Sequence, residues 1–127
     1  MKQDKNTADA YRGIGIACWE QKEYKAALKA FKNAVKAGTK ENATLYNLMG
    51  GCALKLDDGK SALSYYEKGL AASGSSDELK KEMEYNVIVS YEKMQNWEKA
   101  KSKLNEYLEK YPDDETAKKE VEFLETR

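Results

Sequence analysis

Few residues of this 127-residue chain are of types that do chemistry. Histidine is absent, which removes the commonest general base and the commonest neutral metal ligand. A Cys–His nucleophile pair is therefore impossible within the chain. The two cysteines, Cys18 and Cys52, are 34 residues apart and lack the paired spacing of a zinc site. They read as two buried free thiols serving as small apolar groups; a disulfide is the other reading. In "LDDGK" the acids Asp57 and Asp58 adjoin, but an EF-hand needs alternating oxygen ligands over about twelve residues and a closing glutamate. They read instead as turn and cap residues. The stretch "LYNLMGGCALKL", residues 45–56, sets two glycines beside Cys52. Its flanks are helix formers with no turn residue, so a phosphate cradle or a reactive thiol is a poor fit.

Charge excludes further classes. Lys+Arg and Asp+Glu are both 22, and no basic run marks a nucleic-acid surface. Only Arg12 and Arg127 are arginine, so planar forks for phosphate or bases are scarce. Nine tyrosines are present, yet a stacking surface for single strands needs basic residues interleaved with them. Lys99, Lys101 and Lys103 read as a solvated outer face. No catalytic residue, metal or cofactor is expected. No run of about 18 apolar residues spans a membrane, and "MKQDKNTADA" lacks the apolar core of a signal peptide. The default compartment is cytoplasmic. The alternative is a soluble domain cut from a longer exported or membrane-anchored protein.

The elements that position these residues are helices. One proline and abundant Ala, Leu, Lys and Glu favour an all-α chain. An internal repeat organises them. Ala27 in "YKAALKAFKNAVKAG", Ala62 in "GKSALSYYEKGLAAS" and Ala100 in "WEKAKSKLNEYLEKYP" are 35 and then 38 residues apart. Four residues after each comes a large group, Phe31, Tyr66 or Leu104, and three further come Ala34, Gly69 and Tyr107. Upstream, "YRGIGIACW" aligns with "YNLMGGCAL" and "EYNVIVSYE". This alignment pairs Gly15 with Gly50, Ile14 with Met49 and Val87, and Cys52 with the small Ala17 and Ser90.

These residues carry a resemblance to the tetratricopeptide repeat (TPR) family, whose repeat of about 34 residues sets a bulky residue, Leu-Gly, an aromatic, Ala, Phe and Pro at fixed places. It covers residues 8 to about 112. The third repeat departs from the pattern, with Ile88 where a small residue is usual and Tyr107 where alanine is usual. The resemblance implies an all-α helix–turn–helix solenoid, a right-handed superhelix of about seven helices forming one domain over residues 1–127. The repeats span about 8–41, 43–76 and 81–114, with a cap helix at 113–126. Helices are expected at about 7–22, 24–37, 41–56, 59–73, 77–94, 97–110 and 113–126. Ser76 or Asp77 is expected to cap the fifth, and Asp113 or Asp114 the seventh. Stacked pairs bury a core that one pair cannot.

The family implies a concave groove lined by the first helix of each pair, where a peptide or partner helix docks. Carried over by position, its residues are Arg12, Ile16, Trp19, Asn47, Gly51, Leu54, Tyr85, Asn86 and Val89. Asp9, Glu20, Thr44, Leu48, Lys55, Glu82 and Lys93 flank them, and the cap adds Lys119 and Phe123. Ile16, Trp19, Leu54, Tyr85 and Val89 would make an apolar floor, with Arg12, Asn47 and Asn86 as polar handles. Gly51 would leave a slot for a partner's side chain. Trp97 matches Tyr24 and Gly59 and reads as packing. One subset of the family grips the C-terminal carboxylate of heat-shock chaperones with a lysine, arginine and asparagine clamp. Here only Arg12 fits; Ile16, Leu48, Glu82 and Asn86 stand at the other places. The expected function is a non-catalytic protein–protein interaction module, and the alternative is structural self-assembly into a homo-oligomer. The partner is a protein or peptide, with neither nucleic acid nor direct membrane insertion.

Overall fold

The computed structural model describes residues 5–40 and 42–127. Its seven helices are α1 Lys5–Glu20, α2 Tyr24–Lys36, α3 Ala43–Lys55, α4 Gly59–Ala71, α5 Asp77–Lys93, α6 Trp97–Lys110 and α7 Glu115–Glu125. They form three antiparallel pairs in sequence and a single last helix. The expected third-helix start at residue 41 lies outside the described residues; Asn42 caps α3, its side chain accepting from the Leu45 N–H at 2.9 Å. Of the alternatives named above, Ser76 caps α5 and Asp114 caps α7.

Each pair turns through the same corner. Lys22, Asp57 and Gln95 occupy equivalent places and adopt left-handed φ values of 63°, 59° and 58°. A non-glycine residue there costs on the order of 1 kcal/mol. The cap that follows offsets part of it: Asp58 and Asn96 accept from the Ser61 and Lys99 N–H groups at 3.1 and 3.2 Å. Between pairs, Gly38 and Gly74 take φ of 104° and 82°, which glycine does without steric penalty.

Within a pair, packing is a small-to-large fit. A Cβ on Gly15 would meet the Phe31 ring at 2.6 Å, and one on Gly50 would meet Tyr66 at 2.6 Å. Phe31 and Tyr66 are buried, each worth roughly 1.5–3 kcal/mol by removal from water. The third pair solves the problem differently. Ile88 replaces the glycine and Leu104 the aromatic, and the two share a buried cluster. The irregular third repeat therefore conserves volume by exchanging sizes across the contact. Three apolar clusters follow one another along the chain, one at each junction of successive units.

Candidate binding groove

The first helix of each pair projects one row of side chains to a common side. Trp19 from α1, Asn47, Gly51 and Leu54 from α3, and Asn86 and Val89 from α5 line one cavity of about 520 Å³. Leu48, Lys55, Glu82 and Lys93 complete its rim. Six of the nine residues assigned from the sequence thus come together. Arg12 and Ile16 line an adjoining depression of about 290 Å³ with Leu48, which touches both spaces. Tyr85 does not join them. Its ring packs edge-on against Tyr107 at 5.6 Å, and burial pushes its hydroxyl up to about 12. It belongs to the support of α7 rather than to the groove floor, because α7 lies beside it.

The slot expected at Gly51 is filled from within. A Cβ on Gly51 would meet Trp19 Cη2 at 2.7 Å. The indole crosses α3 at Gly51, where no side chain stands, and it meets Tyr24 edge-on at 5.2 Å. Trp19 is half-buried, so it is both wall and packing residue. Trp97 is packed as expected, half-buried against the last cluster and edge-on to Phe123 at 6.3 Å.

The polar groups have distinct states. Asn86 hydrogen-bonds the Tyr66 hydroxyl. The Tyr66 ring reaches from the second helix to the groove; the signal is a tyrosine where Phe31 stands one repeat earlier. Asn47 Oδ1 is buried and has no hydrogen-bond partner among the described residues, an arrangement that costs about 1–3 kcal/mol unless a donor is supplied. Lys93 donates to Asp57 Oδ1 at 2.8 Å. Lys55 lies over the Tyr24 ring at 5.9 Å.

A carboxyl pair stands between α5 and α7. Glu92 occupies the place of Trp19 and Leu54, and its carboxyl is paired with that of Glu120. Burial pushes its carboxyl up to about 8, with Glu120 of α7 adding to the shift and Arg127 opposing it. Sequence reasoning passed over this pair, although an acid in register with two apolar residues was its signal. Cys52 is fully buried and burial pushes its thiol up to about 11, while Cys18 is half-buried; both are free. Among the described residues no His, Cys, Asp and Glu side chains cluster to hold a metal ion, and no helix is long and apolar enough to cross a membrane.

Paired helices in tandem around a groove define a helical-repeat protein. The sequence profile of the tetratricopeptide repeat matches residues 2–42 and 15–77, and the chain belongs to that family. Solved structures agree on the fold. The first TPR of Spaghetti (RPAP3), bound to an HSP90 peptide, is 18% identical with a TM-score of 0.74, covering 98% of this chain and 94% of that one. The N-terminal domain of stress-induced protein-1 from C. elegans is 18% identical with a TM-score of 0.77, covering 95% and 96%. YrrB, a TPR protein described as having an unusual peptide-binding site, is 26% identical with a TM-score of 0.74; the match covers 90% of this chain and 56% of that one. No curated protein matches the sequence.

Proposed function

We propose that the chain is a non-catalytic interaction module that receives an extended peptide or partner helix in the groove. The observation that carries this reading is the cavity of about 520 Å³ shared by α1, α3 and α5, with apolar walls and converging amides. Leu54, Val89 and the Trp19 edge supply apolar burial. Asn47 Oδ1, which has no donor among the described residues, would accept a peptide N–H and so fix orientation. The likeness to a TPR seen with an HSP90 peptide supports peptide binding in general. It does not extend to that ligand, because the clamp places hold Ile16, Leu48, Glu82 and Asn86 around Arg12.

The test uses peptides selected from a display library against the native chain, with affinity measured by titration calorimetry. Leu54→Glu and Asn47→Ala should weaken a selected peptide at least about tenfold, some 1.4 kcal/mol, with Lys29→Ala on the outer face unchanged. Equal affinity in all four proteins would overturn the groove reading.

A further inference from the structure

The two ends of the array are chemically unlike. At the C-terminal end, the far face of α7 presents Glu115, Lys118, Glu122 and Glu125, all exposed. Nothing apolar remains there to receive another helix, as suits a terminal cap. At the N-terminal end, α1 presents Ala10, Gly13, Ile14 and Ala17, also all exposed, with Ile14 at 53%. In later units the places of Ala10, Ile14 and Ala17 belong to Leu45, Met49 and Cys52, to Met83, Val87 and Ser90, and to Ala117, Val121 and Leu124. Eight of those nine residues are buried and Val121 is half-buried, because the preceding unit covers them.

A size rule runs through these junctions. Where the second helix carries a small residue, the next first helix carries a large one. Ala34 precedes Leu45, both buried. Gly69 faces Met83 so closely that a Cβ would meet Sδ at 2.6 Å. The last junction reverses the sizes, with Tyr107 on α6 and Ala117 on α7 in one cluster. The face of α1 begins with Ala10, like that of α7 and unlike those of α3 and α5. It therefore fits a second helix with a bulky residue at this place, and α6 is the one such helix in the chain.

We propose that α7 occupies in cis a docking surface that also fits α1 of a second copy, so that undocking α7 lets copies join head to tail through α6 and α1. A short connection, residues 111–114, tethers α7 to α6, which gives the cis helix a high effective concentration. Two further contacts pin that connection. The Tyr107 hydroxyl donates to Asp114 Oδ2 at 2.5 Å, and the Tyr111 hydroxyl donates to Glu84 Oε1 at 2.6 Å. The intact chain is accordingly held monomeric, and its capacity for assembly is latent. The contact is heterologous, so released copies would form open chains rather than closed dimers.

Sedimentation equilibrium on full-length variants tests this. Leu124→Asp should undock α7 and give a mass that rises past the dimer with concentration. Adding Ile14→Lys should return the double variant to monomer, while Ile14→Lys alone stays monomeric with native helix content. A synthetic peptide of residues 113–127 should reverse the assembly of Leu124→Asp. A monomeric Leu124→Asp with α1–α6 still helical by circular dichroism would overturn the proposal, as would oligomers indifferent to Ile14→Lys. Val121→Lys, at a half-buried place, provides a milder release; global unfolding of both variants would show that α7 is no separable cap and equally sink the idea.

Discussion

The indole of Trp19 lies across Gly51 so closely that a Cβ there would meet Cη2 at 2.7 Å. A Cβ on Gly15 or Gly50 would meet a ring at 2.6 Å, but Phe31 and Tyr66 are held almost wholly buried whereas Trp19 is half-buried. The three glycines should therefore respond differently to alanine. At Gly51 the ring can swing outward, and alanine gains about 1 kcal/mol of helix propensity. Gly51→Ala should be near neutral in stability, with a red-shifted Trp19 emission in a Trp97→Phe background. At Gly15 and Gly50 alanine overpacks a fixed ring and should cost about 1–3 kcal/mol by urea denaturation. Unchanged Trp19 emission in Gly51→Ala would mean the ring does not rest there in solution.

Asp114 performs two tasks at the start of α7. It accepts from the Ala117 N–H at 3.1 Å and from the Tyr107 hydroxyl. Tyr107→Phe should cost about 1–2 kcal/mol, reduced from the buried charge-assisted value because Asp114 is partly solvated. The Tyr107 hydroxyl holds the Asp114 carboxyl below its ordinary value. Its stabilisation is thus present at neutral pH and lost as pH falls below about 4. The gap between native and Tyr107→Phe chains should narrow at pH 3 in denaturant titrations.

Glu92 behaves in the opposite sense. Its carboxyl is raised from 4.5 to about 8 by burial and by Glu120, so the folded state favours the proton. The contribution is complete below about 4.5 and fades as pH rises toward 8. The proton belongs to the pair with Glu120. The thermal midpoint of the native chain should fall between pH 6 and pH 9 by several degrees, each kcal/mol being worth about 4 °C for a chain between the small and medium domain sizes. Glu92→Gln should flatten that fall. An identical pH profile in both proteins would rule out the shared proton.

Cys52 should be chemically silent in the folded state. Its thiol, pushed up to about 11 by burial, holds little thiolate at pH 8, and thiolate is the reactive form. A disulfide-exchange reagent should titrate Cys18 first in native buffer and Cys52 only on denaturation. Rapid reaction of both thiols would contradict the packing of α3.

Much of the architecture was legible because the repeat is written in residue volumes. Ala27, Ala62 and Ala100 mark the second helices, and Gly15 and Gly50 announce the aromatic partners that fill them. Trp19, Asn47, Gly51, Leu54, Asn86 and Val89 could be assigned to one side because helical periodicity fixes a residue's direction. For Tyr85 that rule gives the direction but not the neighbours. It points the expected way, but α7 arrives beside it and Tyr107 packs on its ring.

The sequence by itself determined the helices, their pairing and the side each residue faces, since all three follow from local periodicity and small-to-large matching along the chain. Only the tertiary structure decided what occupies the space on that side. The indole of Trp19 fills the gap that glycine left, the Tyr66 hydroxyl reaches Asn86 from a different helix, and Glu92 meets Glu120 across some thirty residues. Such meetings depend on how far a long side chain reaches between elements and on what stands opposite. Ile14, Met49 and Val87 share one place in the repeat, yet only Ile14 remains open to solvent, because burial is a property of neighbours and α1 has none before it among the described residues.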